Sequence, residues 1–160
     1  MKFATYSSAE VQYYGAVDQD GMIALGEDFP QWPTLFDAVR ADGLDQLVER
    51  AAQKPVSHTT FEFDMVLPNA QRILCVGVNF PNRNAEYKDG SDLPKHMSLF
   101  PRFADGFTGH ERPLMRPPEN HTLDYEGEVA IVIGKGGRRI AQADTYDHIA
   151  ALTICNEGTI

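Results

Sequence analysis

The chain has 160 residues, 42% hydrophobic and 10% aromatic, a globular composition with room for one ordinary domain or a small one plus part of another. Its net charge of −9, from 14 basic and 23 acidic residues, argues against a general nucleic-acid binder. No apolar stretch reaches transmembrane length and no basic-then-apolar signal opens the chain, so no membrane partner is expected.

The first strands are predicted at Lys2–Tyr6 and Tyr13–Val17, around a polar Ser7-Ser8-Ala9-Glu10 turn. Asp18-Gln19-Asp20-Gly21 is a turn signal before Met22-Ile23-Ala24-Leu25. Pro33 and Thr34 open an amphipathic helical stretch through Leu35, Phe36, Val39, Leu44, Leu47 and Val48, interrupted near Gly43 and ended by Lys54-Pro55. Thr60–Leu67 alternates Phe61, Phe63 and Met65 with Glu62 and Asp64, the pattern of a half-buried strand. Pro68-Asn69 then marks a boundary between a small N-terminal α+β domain, 1–68, and a second region, 69–160.

Arg72–Val78 is an apolar strand ending at Gly77-Val78-Asn79. The stretch 79–124 is irregular and rich in Pro, Gly and charge, and so long an excursion is usually functional or disordered. Its His96, His110 and His121 read as loop histidines. A buried strand is predicted at Val129–Ile133, a turn at Gly136–Arg139, a short helix near Asp144–His148 with Asp144 as N-cap, and a last strand from Ile149 into Ile160. Cys75 and Cys155, both in apolar runs, read as small buried hydrophobes of a reducing compartment, and the cytoplasm is the expected location.

The most informative feature is Tyr125-Glu126-Gly127-Glu128 leading into the apolar run. Residues i and i+2 of a strand share a face, so two carboxylate roots lie roughly 6–7 Å apart. At an effective dielectric near 20, such charges about 6 Å apart repel by roughly 3 kcal/mol. Solvent, protonation of one acid, or a cation must compensate. Taken alone, the pair suits a wet strand end. Glu157, after the second apolar segment Ile149–Cys155, could join them from a neighbouring strand. Three carboxylates without His or Cys suit a hard divalent cation such as Mg²⁺, Mn²⁺ or Ca²⁺. Residues 71–160 also hold 10 of the 14 basic residues, compatible with a small anionic substrate.

Together these segments resemble the fumarylacetoacetate hydrolase family over nearly the whole chain. Met1–Tyr6 with Gly15-Ala16-Val17 looks like its small N-terminal domain. Ile73-Leu74-Cys75-Val76-Gly77-Val78-Asn79-Phe80 is similar to the strand and turn opening its catalytic domain, and Ser98-Leu99-Phe100 to a Leu-Phe segment. Asp124–Glu128 through Gly134-Lys135 is the most specific element, and the spacing from Glu126 to Glu157 fits the family's third acidic ligand. The resemblance implies an α+β, β-rich fold: a mixed β roll preceded by the small domain. It implies a divalent metal, Mg²⁺ or else Mn²⁺ or Ca²⁺, on Glu126, Glu128 and Glu157. It implies small keto/enol carboxylate substrates that are hydrolysed, isomerised or decarboxylated. A homodimer is the expected assembly.

The chain departs from the family pattern in three places. Glu157 stands where the family commonly has Asp. Glu86 matches a glutamate that partners a water-activating His, but the His position is Arg83, which stays protonated and cannot be a general base. Arg83 could instead hold a substrate carboxylate. Family members also continue well past the position of Ile160, so the roll is expected to be incomplete, with an uncovered apolar face or strand edge. The expectation is a metal-dependent enzyme hydrolysing a C–C bond of a β-diketo acid, with isomerisation or decarboxylation as alternatives and Glu86 and Arg83 as catalytic candidates. A non-catalytic fragment that associates through its exposed edge is the competing class.

Overall fold

The computed structural model describes residues 1–79, 82, 90 and 95–160. Close packing groups Met1–Pro68 with Thr108–Ile160 in one unit and sets Asn69–Phe107 apart as a second.

The first unit begins with an antiparallel sheet in the order β3 (Gly21–Ala24), β2 (Val11–Asp18), β1 (Phe3–Ser8), β4 (Glu62–Phe63). Strands β1 (Phe3–Ser8) and β2 (Val11–Asp18) pair in register from Phe3↔Ala16 to Ser8↔Val11. Ala9 and Glu10 turn the hairpin at φ 48° and 63°, the doubly left-handed geometry that matches strand twist. β3 (Gly21–Ala24) follows a turn in which Asp18 Oδ1 accepts from the Asp20 N–H at 3.1 Å.

The predicted helical stretch forms two helices, α1 (Leu35–Arg40) and α2 (Leu44–Ala51). Thr34 caps α1 with Asp37 in a reciprocal capping box. The interruption at Gly43 has a packing cause: a Cβ there would lie 2.3 Å from the Trp32 ring. Tyr14, Ala16, Ile23, Leu25, Trp32, Leu35, Ala38, Leu47 and Ala51 form the main core. At the rim, the Asp28 carboxylate takes both Arg50 and Lys54, and their hydrogen bonds, Lys54 first, hold it below the usual carboxylate range.

The strand expected over Thr60–Leu67 is only β4 (Glu62–Phe63), paired with Tyr6 and Ser7 of β1. Beyond it the chain leaves the ladder: Asp64 N–H still reaches the Thr5 carbonyl at 3.0 Å, but Val66 is held by the Thr5 hydroxyl instead. The outer side of β4 meets the segment after Thr108. Arg112 donates to the Phe63 carbonyl and pairs with Glu62 at 2.5 Å, and Gly109 passes so close that a Cβ would lie 1.9 Å from the Phe63 oxygen.

The same unit contains a two-stranded antiparallel ribbon of β7 (Gly127–Ile133) and β8 (Ile149–Asn156), with an irregularity at Val132/Ile133. A 3-10 segment, Gln142–His148, precedes β8. Asp144 is not its cap: Ala141 holds the cap position, and Asp144 lies in the first turn donating its N–H to the Ala141 carbonyl. The last strand stops at Asn156 instead of reaching Ile160.

In the second unit, β5 (Ile73–Gly77) pairs with β6 (Ser98–Arg102). The chain leaves β5 through Val78 at φ 54°, a costly conformation for a β-branched residue.

Candidate metal centre

The β7–β8 register decides what stands on each face. Gly127 pairs with Asn156, Glu128 with Cys155, Val129 with Ile154 and Ile131 with Leu152. The pairing continues past the strand ends, where Glu157 N–H donates to the Glu126 carbonyl at 2.8 Å. Two residues further, Asp124 and Thr159 exchange both hydrogen bonds, at 2.9 and 3.1 Å. Directly paired residues point the same way and neighbours alternate. Glu126, Glu128, Cys155 and Glu157 therefore share one face, and all four are half-buried.

The opposite face carries Val129, Ile131, Ile133, Leu152 and Ile154, exposed at 71, 56, 58, 66 and 85%. Val129–Ile133 is thus a strand as predicted but not a buried one, because among the described residues nothing covers that side. The uncovered apolar face agrees with the expectation of an open roll.

Two of the acids act on one sulfur. Burial pushes the Cys155 thiol above its ordinary pKa, and the carboxylates of Glu157 and then Glu128 push it further. Both charges are thus felt at the same atom. Cys155 was read only as a buried hydrophobe. The i, i+2 spacing of Cys155 and Glu157 already sets the thiol on the acidic face, and the cross-strand pairing adds Glu128 beside it.

The fit to a hard cation is one of donor chemistry and backbone placement: three carboxylates, no histidine, one face. As their side chains stand, no three His, Cys, Asp or Glu groups among the described residues are close enough to cage an ion. Glutamate side chains have three rotatable bonds with which to close that gap. Arg83 and Glu86 lie outside the described residues. His96, His110 and His121 are exposed, with His110 against the Phe63 ring and 3.8 Å from Glu111. A cleft of about 260 Å³ beside Tyr13, Tyr14 and Thr34 on the N-terminal sheet is lined by none of the three glutamates.

The sequence profile of the fumarylacetoacetate (FAA) hydrolase C-terminal family matches residues 72–160, more than half of the chain. The chain belongs to the fumarylacetoacetate hydrolase family. Among curated members of this family, oxaloacetate tautomerase YisK of Bacillus subtilis (strain 168) is 39% identical over 92 residues, covering 56% of this chain and 30% of its own length. The mitochondrial oxaloacetate tautomerase FAHD2B of Homo sapiens is 33% identical over 110 residues, covering 67% and 34%. Among solved structures, maleylpyruvate hydrolase from Sphingobium sp. SYK-6, in complex with manganese(II) ion and pyruvate, aligns at TM-score 0.77 and 19% identity over 99% of this chain and 59% of that one. Fumarylacetoacetate hydrolase from psychrophilic Exiguobacterium antarcticum gives 0.73 and 22%, over 99% and 56%. At these identities the likeness carries the fold, a strand-rich α+β architecture of the fumarylacetoacetate hydrolase type. The chain spans about a third of the length of the curated relatives it matches.

Proposed function

We propose that this chain supplies the metal-binding part of an enzyme that interconverts keto and enol forms of small 2-keto dicarboxylates, the oxaloacetate class. The carrying observation is the β7–β8 register, which sets Glu126, Glu128 and Glu157 on one half-buried face. The curated relatives named as oxaloacetate tautomerases support the substrate class.

In this reading the three glutamates hold Mg²⁺, or Mn²⁺ or Ca²⁺ in its place. A divalent ion held there would supply Lewis-acid stabilisation of the enolate of a 2-keto carboxylate. The three carboxylates would more than balance the charge of that ion, and the half-buried face limits competing water. Arg83 grips the second substrate carboxylate with its planar fork. Glu86 takes the proton from the carbon next to the keto group and, directly or through water, gives it to the enolate oxygen to complete the enol, with the same transfers reversed on the way back. Hydrolysis of a C–C bond stands behind this reaction, because Arg83 occupies the position of the family's water-activating His, and decarboxylation remains the further alternative.

Residues 69–160 form the metal-binding part in this proposal, and 1–68 an accessory domain. The start of the family match at residue 72 supports that division. No helix among the described residues is long and apolar enough to cross a membrane. A cytoplasmic homodimer without nucleic-acid or membrane partners completes the proposal.

The test is the decay of enol oxaloacetate monitored in the ultraviolet, with and without Mg²⁺ or Mn²⁺. Metal-dependent acceleration lost in Glu126→Ala supports the reading. Release of pyruvate from an acylpyruvate with no effect on the enol would replace tautomerisation by hydrolysis.

A further inference from the structure

Alternate rungs of an antiparallel ladder carry two hydrogen bonds each. At the Asp124/Thr159 rung both are present. At the next such rung, Glu126/Glu157, Glu157 N–H donates to the Glu126 carbonyl at 2.8 Å, but Glu126 N–H does not complete the pair. It donates instead to Oδ1 of the Asn156 side chain at 2.9 Å. A carboxamide has taken the place of a backbone carbonyl at the rung where two of the three glutamates face each other. We propose that Asn156 is a positioning residue for the acidic site, its carboxamide setting the spacing of Glu126 from Glu157 and so the size of the space their carboxylates enclose.

The proposal rests on the metal reading above. Removing the carboxamide leaves Glu126 N–H to seek the Glu157 carbonyl or water. Either outcome changes how the two side chains leave the backbone. Groups that orient ligands from behind commonly change metal affinity by roughly 10–100-fold when removed. Asn156→Asp keeps an oxygen acceptor at the same place.

The experiment uses the full chain and Mn²⁺ alone. Calorimetric titration and the spectrum of bound Mn²⁺ give affinity and coordination, and hydrogen exchange reports the Glu126 amide without metal. Wild type should bind Mn²⁺ and protect that amide. Asn156→Ala should lose the protection and bind about tenfold more weakly. Asn156→Asp should keep protection and bind at least as tightly as wild type. If Asn156→Ala fails to fold, Asn156→Asp decides alone: a folded Asp variant that loses affinity overturns the proposal. Equal Mn²⁺ affinity in wild type and Asn156→Ala, with the amide deprotected, overturns it while leaving the metal reading intact. A wild-type chain that binds no Mn²⁺ overturns both.

Discussion

The uncovered side of the β7–β8 ribbon makes a prediction that can be worked from the structure. Its five aliphatic side chains retain on average about two thirds of their exposure, and full burial of one such side chain stabilises by about 1.5–3 kcal/mol. Covering the face therefore gains about 5–10 kcal/mol per copy, about 7 at mid-range. Two copies face to face gain about 15 kcal/mol, against an association cost on the order of 10 kcal/mol. A surplus near 5 kcal/mol corresponds to a dissociation constant on the order of 100 μM. The 160-residue chain should self-associate weakly and reversibly. Ile131 and Leu152 are direct cross-strand partners, so Ile131→Lys with Leu152→Glu replaces an apolar pair by an ion pair within the ribbon. Sedimentation velocity from about 10 to 500 μM, a range bracketing that constant, should show rising mass for wild type and a constant monomer for the double variant. A wild type that stays monomeric throughout, or a charged variant that associates as strongly, would refute the area reasoning.

Three further outcomes follow from the packing and the site. Burial first, then Tyr13, pushes the Tyr6 phenol to about 12, while burial, then Asp37 and Asp28, pushes Tyr14 to about 12. Both are raised above their unfolded values, so their contribution is complete below pH about 10 and lost between about 10 and 12. Tyrosinate absorbance should show late ionisation that coincides with unfolding; early, independent ionisation of all six tyrosines would count against it. Gly109→Ala should cost about 2 kcal/mol, because the new methyl meets the Phe63 backbone oxygen and not a movable side chain. Arg112→Ala should cost no more than about 1 kcal/mol, since Glu62 is mostly exposed, and denaturant melts that reverse this order would contradict the close-approach explanation. Glu126→Ala should abolish any rise in melting temperature produced by Mg²⁺, and equal shifts in variant and wild type would remove Glu126 from the ligand set.

The parts of the fold legible in the sequence are those governed by local chemistry. Pro33 and Thr34 announce a helix start, and the structure adds Asp37 as the partner that closes Thr34's capping box within four residues. Asp18–Gly21 announces a turn by equally local chemistry. The two apolar runs carrying β7 and β8 were visible as strands, and Glu126 and Glu128 as a same-face pair, because strand periodicity is a property of one segment. What depends on distant partners was not visible. The shortness of β4 is set by how long β1 stays beside it and by Arg112, nearly fifty residues away. Asp144 failed as a cap because the turn began three residues earlier, at Ala141. Asn156 joins the site only through cross-strand register, which no single strand encodes, whereas the Cys155/Glu157 spacing was a same-strand signal that the apolar run masked.

That register ties the candidate site to the uncovered face. The acids and the aliphatic side chains alternate along the same two strands, so a slip of one residue would exchange them. In a fully covered sheet, burial of the aliphatic face penalises such a slip heavily. Here that face is open, and the register must be held by other means. The rungs at Asp124/Thr159 and Glu126/Glu157, with the Asn156 carboxamide between them, anchor one end, and the irregularity at Val132/Ile133 breaks the repeat at the other. Whatever covers Val129, Ile131 and Ile154 adds its burial energy to the register that also aligns Glu126, Glu128 and Glu157. Covering the apolar side and tightening the acidic side are therefore one structural event, and Mn²⁺ affinity should rise with the fraction of chain associated, a linkage that titrations at two protein concentrations can measure.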